Sequence, residues 1–441
     1  MTAPLRIAVF AGTFPVISET FIIRQIVGLL RLGHDVRIFA DTRPEAGAPV
    51  HPQVAEHRLL ERTTYMDMPP ESAPWEMPVR PLFGRTWPPG SPHSISNAAR
   101  VTRALPQLVR CFSRHPRLAR QLLRGREYGY RAESLSGLYR LDRMAAQSTR
   151  FDVLHAHFGP VGNSFRFVRD LFHAPLIVSF HGYDFCTVPR KEGAGVYSRL
   201  FQAADLITVN SDYTRKRVQQ LGCPDFKIRK LPMGLDLEEF PFHARVSGSG
   251  ETIRIVTVAR LVQIKGHEYV LNALARLKDR FPHLRYDIVG DGPLRSKLTQ
   301  LAEQLGIAGM VRFHGALSGV DTAKILGAAH IFVLTSASVD GDEEGQGLAL
   351  QEAQASGLPV IATHHGGFPE GLQDGVTGFL VEQGNADSLA QRLAGLIGQP
   401  ENWADIGSQG RRFVEDNFDI RKLSLQLANV YHEAIARFRT N

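Results

Sequence analysis

Short β-rich runs alternate with helix-patterned segments along this 441-residue chain, and that alternation limits its fold more than any other feature. LRIAVFA is followed by a helical pattern from Ser18 to Leu32, then by HDVRIFA, and later by DVLHAHF, PLIVSFHG, DLITVN and KIRKLP. A second series, TIRIVTVAR, LRYDIVG, MVRFHG, HIFVLT and LPVIAT, repeats the scheme with helices between. Strand and helix in alternation predict an α/β fold, with doubly wound parallel sheets covered on both faces. Ser18 is a natural N-cap for the first helix and Gly33 a natural stop. The length suits two domains of about 200 residues each.

The two series suggest boundaries. Residues 1–235 form the first Rossmann-like domain and 253–415 the second. The small, polar composition of HARVSGSGET makes 236–252 a linker. Between about 44 and 150 the first series is interrupted by a Pro-rich stretch, WEMPVRPLFGRTWPPGSP, and then by Arg-rich helices from about Ile95 to Ala146. An insertion of this length is expected to be a lid or docking surface. The terminal segment 416–441 is expected to form a helix that crosses back onto the first domain.

Composition narrows the function classes. The apolar fraction of 43% and charged fraction of 22% are those of a globular protein. Cys111, Cys186 and Cys223 are widely spaced, with no C-x-x-C or Cys/His cluster, which argues against a disulfide framework or zinc site and for a cytoplasmic setting. MTAPLRIAVFAGTFP reads as a first strand rather than a signal peptide, and no run approaches the roughly 20 apolar residues of a membrane span. The net charge of +7 is concentrated between Arg100 and Arg150. Such a stretch is either a solvated helical face or a surface for phosphates, anionic lipid or nucleic acid. No aromatic stacking pattern accompanies it, so no nucleic-acid partner is expected.

In open parallel sheets ligands gather at the carboxyl ends of strands, and the candidate residues fall there. Arg260 ends one strand and Lys265 follows just before Gly266 opens a helix; two cations beside a helix N-terminus suit a diphosphate, though such a pair is ordinarily solvated. Glu344 and Glu352 bracket EGQGLALQE, where Gly345 and Gly347 allow close backbone approach to a ligand. Carboxylates suit sugar or ribose hydroxyls, and equally suit a helix N-terminus or a solvated face. His181 and Asp184 follow PLIVSF directly; an imidazole can bond a sugar hydroxyl with a carboxylate fixing its orientation. His155 and His157 share one strand face and read as core or supporting residues. Gly12 and Thr13 form a strand-to-helix turn without G-x-G-x-x-G, which argues against a dinucleotide site, and Gly290, Asp291 and Gly292 form a similar turn that taken alone is a plain one.

Together these elements resemble family 4 of the retaining glycosyltransferases, which have the two-Rossmann GT-B fold. ARLVQIKGHEYVLNAL, IVGDGPLRSKL, VRFHGAL and EEGQGLALQEAQASGLPVIATHHGGFPEGL follow the family's order and spacing. TFPVISETF and FHGYDF are most similar to bacterial enzymes that build exopolysaccharide and colanic-acid-type repeat units on a polyprenyl diphosphate lipid. Gln346 departs from the aromatic residue often found between the glycines, and the first turn has one glycine where many members have two.

The resemblance implies residue roles. Arg260 and Lys265 would bind the donor diphosphate, Glu344 the donor sugar and Glu352 the ribose. Gly347 and Leu348 would offer backbone amides, while Gly292 and the turn ending at Leu317 would lie near the nucleotide. His181 would meet the transferring sugar, and Gly12 and Thr13 would approach the diphosphate from the first domain. The implied reaction moves a hexose, with retention, from a UDP- or GDP-hexose to a glycan or polyprenyl-diphosphate-linked acceptor. No metal and no cofactor beyond the donor are expected, and peripheral contact with anionic lipid at the inner membrane face is. Rival readings are a phosphorylase, for which no lysine stands in an assignable pyridoxal phosphate motif, a sugar-nucleotide 2-epimerase, and a catalytically silent scaffold in a polysaccharide assembly complex.

Overall fold

The first strand, β1 (Arg6–Thr13), is buried along nearly its whole length, as expected of a central parallel strand with both faces covered. It pairs in parallel with β2 (Asp35–Thr42) on one side and β4 (Val153–His157) on the other. With β3 (Thr63–Tyr65), β5 (Leu176–Phe180), β6 (Leu206–Val209) and β7 (Ile228–Lys230) they form a seven-stranded sheet of order 3-2-1-4-5-6-7. The second sheet has six strands: β8 (Ile253–Val258), β9 (Leu284–Val289), β10 (Val311–Gly315), β11 (Ile331–Leu334), β12 (Val360–Thr363) and β13 (Phe379–Val381). Their order, 10-9-8-11-12-13, reverses at the same place, so each sheet is a doubly wound Rossmann layer. These features come from a computed structural model that describes residues 3–45, 47–66, 97–128, 132, 134–147, 149–246 and 252–440.

Helices cover both faces of the first sheet. On one, α1 (Thr20–Arg31) buries Ile22, Ile23, Ile26 and Val27 against Ile7 and Val9. Ser18 is not its cap: residues Ile17–Glu19 form a turn of 3-10 helix, and Thr20 opens the helix behind Glu19. Gly33, at φ 86°, does stop it. The other face is covered by α2 (Asn97–Arg114) and α3 (Ser136–Ala145), whose Ala104, Cys111, Leu138, Leu141 and Met144 join Phe10, Phe39 and Leu154 in one core.

Part of the expected insertion belongs to the first domain's own layers. Thr63–Tyr65 is an edge strand hydrogen-bonded to β2, and the Arg-rich helices pack their apolar residues into the first core. Arg140, expected as part of a basic surface, is fully buried in a bidentate pair with Asp41, at 2.8 Å for both bonds. The Pro-rich run from 67 to 96 lies outside the described residues.

The linker is also shorter than its composition suggests. Leu235, Leu237 and Phe240 are buried in the second core, and Arg245 donates to the carbonyls of Leu326, Gly327 and Ser356. Aromatic and aliphatic anchors outweigh the polar residues between them. After α4 (Gly159–Phe165), α5 (Leu348–Ala355) and α6 (Trp403–Asn417), the last helix, α7 (Ile420–Thr440), returns to the first domain and buries Leu423, Leu427, Tyr431 and Ala434 beside α1. Among the described residues no helix is long and apolar enough to cross a membrane.

Candidate functional site

Parallel strands deliver their following loops to one edge, and at the reversal of strand order two adjacent loops part to leave a crevice. The two sheets turn these edges toward each other. Between them lies a cleft of about 870 Å³, lined from the first domain by Gly12 and Thr13, which are the last two residues of β1 and not the expected turn after it, by Phe158 after β4 and by His181 after β5. Its opposite wall carries Arg260 after β8 and the loop Asp342–Gln346 after β11. Five of the expected site residues, Gly12, Thr13, His181, Arg260 and Glu344, therefore share one space.

Lys265 is adjacent: its Nζ lies 2.7 Å from a Glu344 carboxylate oxygen, with both side chains largely covered. Backbone geometry holds both residues. Gly266 adopts φ 64°, and a Cβ there would come within 2.0 Å of the Thr335 carbonyl, so the Lys265 turn can seat against the end of β11 only with glycine. Gly366, at φ 51°, gives a similar close approach to the Glu344 carbonyl, 2.1 Å from a would-be Cβ. The Glu344 amide donates to His365 Nε2 at 3.1 Å, so Nδ1 of that ring carries the proton it gives Gln383.

His181 is buried, and neither ring nitrogen has a protein partner among the described residues. Phe21 and Phe158 lie with ring centroids 4.6 and 4.7 Å away, and His157 is stacked on it at 5.8 Å. Burial depresses its pKa to about 3, so the ring is a neutral imidazole with one donor and one acceptor to offer. Asp184 does not orient this ring, contrary to expectation. Its carboxylate accepts the backbone N–H of His181 at 2.7 Å, fixing the main chain instead. His155 is tied into the fold, bonding Tyr431 of α7 and Ser179 at 2.7 Å each. Phe158 precedes α4 (Gly159–Phe165) and holds φ 71°, a left-handed conformation that bulky residues avoid outside constrained sites.

The remaining expected residues stand outside this lining. Gly347 and Leu348 open α5 (Leu348–Ala355), with Gly347 against the Phe368 ring and Leu348 against the second core. Glu352, inside that helix, is held by Arg24 Nη1 of α1 at 3.2 Å, and Arg24 also binds Glu239. Burial pushes the Glu352 carboxyl up while Arg24 opposes it. Gly292 lies against the Leu261 carbonyl, and Gly290 donates to the Gly315 carbonyl, so the IVGDGP turn braces the Arg260 loop. Leu317 packs on the second core.

Several residues escaped the sequence reading. Gln346 was noted only as a departure between the glycines; what went unseen is that its amide acts as a peptide group, accepting from Met233 N–H at 2.8 Å and donating to Met233 O at 3.0 Å. Ser211 donates to Gly345 O at 2.8 Å, and Glu370 accepts the backbone N–H groups of Asp212 and Tyr213 at 2.9 Å each. These bonds join the two domains around the Glu344 loop. Arg24 and Glu19 also went unnoticed, although both lie just beyond the TFP turn whose place at a strand end was evident.

Comparisons with known proteins identify the family and the fold. Residues 101–239 match the model described as Glycosyltransferase Family 4, and 240–413 that described as Glycosyl transferases group 1. A protein of Escherichia coli K12 named as a colanic acid biosynthesis glycosyltransferase, WcaL, is 29% identical over 431 residues, covering 97% of this chain and 99% of that one. The GDP-mannose-dependent alpha-(1-6)-phosphatidylinositol monomannoside mannosyltransferase of Mycolicibacterium smegmatis is 30% identical over 264 residues, 58% of this chain and 69% of that one. Among solved structures, Anabaena HepE in complex with UDP and glucose superposes with a TM-score of 0.65 at 17% identity, covering 97% of this chain and 100% of that chain. With two facing Rossmann domains and matches to both family models, the chain belongs to the family 4, group 1 glycosyltransferases, of GT-B fold.

Proposed function

We propose that this glycosyltransferase moves a hexose from a UDP- or GDP-hexose, with retention of configuration, to a hydroxyl of a glycan or polyprenyl-diphosphate-linked acceptor in exopolysaccharide synthesis. The observation that carries this reading is the meeting of Arg260 and the Lys265–Glu344 pair with His181 and the Gly12–Thr13 end of β1 across one cleft. An incoming diphosphate takes over Lys265 and adds Arg260, freeing the Glu344 carboxylate for hydroxyls of the donor sugar. The amides of Gly347 and Leu348 assist at the α5 N-terminus. Glu352 holds the ribose once Arg24 yields it, and Gly292 and Leu317 flank the nucleotide. Neutral His181 bonds the transferring sugar.

Retention proceeds here by front-face attack. The acceptor hydroxyl enters on the side from which the diphosphate leaves, and a phosphate oxygen takes its proton. The protein's task is orientation and stabilisation of charge on the leaving phosphate. Calorimetry tests the phosphate assignment: Arg260→Ala and Lys265→Ala are expected to weaken nucleoside diphosphate binding at least tenfold and nucleoside binding little. Equal losses for both ligands refute it. A panel of uridine, guanosine and adenosine diphosphate sugars, read by thermal stabilisation and by the anomeric configuration of product, identifies the donor and the stereochemistry. An inverted product refutes retention.

The lipid-linked acceptor motivates contact with the inner membrane face. Residues 97–128 carry eight arginines and one acidic residue. Val101, Leu105 and Val109 form an exposed stripe on α2, and Arg114, Arg117 and Arg120 are exposed nearby. Arg110 and Arg124 are instead paired with Asp142 and Glu127. Each basic side chain near an anionic surface contributes about 1 kcal/mol. Serine at Arg114, Arg117 and Arg120 is expected to reduce sedimentation with anionic liposomes at low salt; equal pelleting refutes the contact.

A further inference from the structure

Glu19 is a partly buried carboxylate with no evident duty in the fold. It ends the 3-10 turn before α1, where its own backbone N–H is committed to the Val16 carbonyl at 3.0 Å. Its side chain lines the cleft. Among the described residues no hydrogen bond or ion pair holds that carboxylate, whereas Glu344 and Asp184, the neighbouring acids discussed above, each have a partner. A carboxylate left unpaired on a covered wall is costly, and burial raises its pKa to about 7.

Its surroundings are apolar and aromatic. Pro15, Ile17, Phe21, Phe158 and Pro160 line the same side of the cleft, and Tyr183 stands half-exposed at its edge. A carboxylate set among aromatic rings and proline faces is suited to a sugar, which presents hydroxyls in its ring plane and C–H groups on its faces. The wall belongs to the domain opposite Arg260 and Glu344.

We propose that Glu19 holds the acceptor sugar, accepting hydrogen bonds from its hydroxyls on the first-domain wall and so presenting the attacking oxygen to the donor. The proposal rests on the glycosyl-transfer reading above. It assigns Glu19 to the acceptor alone, so donor binding and the attack of water on the donor do not depend on it.

The experiment follows nucleoside diphosphate release by the full chain from the donor that stabilises it best, alone and with a panel of methyl hexosides at millimolar concentration. Wild type, Glu19→Gln and Glu19→Ala are compared, with nucleoside diphosphate binding and melting temperature as controls. The expected result is an acceptor KM at least tenfold higher in both variants, with acceptor-free hydrolysis and donor affinity within twofold of wild type. Unchanged acceptor KM in Glu19→Gln overturns the proposal. Parallel loss of hydrolysis and transfer in a folded Glu19→Gln also overturns it, since the residue then serves the donor. A wild type that hydrolyses donor but is stimulated by no hexoside overturns sugar recognition at this wall while leaving the donor site intact. A wild type that turns over no nucleotide sugar at all defeats the glycosyl-transfer reading itself.

Discussion

Replacing Glu19 by Gln removes an ionisable group without changing its size, and the effect on stability has a definite dependence on pH. In the folded chain burial raises the Glu19 pKa from an ordinary 4.5 to about 7. Below pH 4.5 the carboxyl is protonated in both states and does not oppose folding. Between 4.5 and 7 the unfolded chain has released a proton that the folded chain retains, so stability falls as pH rises. Above 7 both states are ionised and the loss is complete. At 1.36 kcal/mol per pH unit the full loss is about 3 kcal/mol. Glu19→Gln is therefore expected to be about 3 kcal/mol more stable than wild type at pH 8, and only about 1 kcal/mol at pH 5. The assay is urea unfolding at each pH, followed by tryptophan fluorescence and circular dichroism. A pH-independent difference, or a variant less stable at pH 8, refutes the idea that Glu19 is buried without a partner.

Arg24→Met is expected to cost about 3–5 kcal/mol, because it leaves Glu239 and Glu352 facing each other without their shared cation; a loss under about 1 kcal/mol in urea unfolding contradicts the triad. Glu344→Gln is expected to lower transfer by at least about tenfold to a hundredfold with an unchanged melting temperature, since charge-assisted bonds contribute about 1.5–3 kcal/mol each. Near-normal turnover would remove Glu344 from the donor site. His155 and His181 have pKa values near 3 through burial, and His157 lies well below its usual 6.5. Their contribution to stability is present above 6.5 and is lost as pH falls toward 3, so acidification through that range should lower the melting temperature. His157→Phe, which replaces a ring without polar partners among the described residues, should flatten that decline, and an identical slope counts against it.

The sequence by itself determined the fold class and the addresses of the loops. Buried parallel strands require apolar runs such as RIAVFA and IFVL, and the helices between them carry an apolar stripe, so local periodicity alone marks a doubly wound sheet. Because strand ends are legible, so was the position of Arg260, His181 and Glu344 at one edge of each sheet. Local signals also misled: Ser18 has a capping side chain, yet the 3-10 turn before Thr20 displaces it, and HARVSGSGET has a linker's composition while Arg245 and the preceding Phe240 are packed.

Only the tertiary structure decided which charges meet. Arg24 and Glu352 are separated by 328 positions and lie on different domains, so no spacing rule could pair them. Nor could one pair Arg140 with Asp41, 99 positions apart within the first domain, or foresee that the Gln346 amide closes on the Met233 backbone across the domain boundary. Glu19 shows the converse. Its proximity to a strand end was visible in the sequence, but its lack of a partner among the described residues depends on every neighbour that folding brings to the cleft. An ionisable side chain acquires its function from the dielectric and the partners around it, and those are properties of the assembled fold.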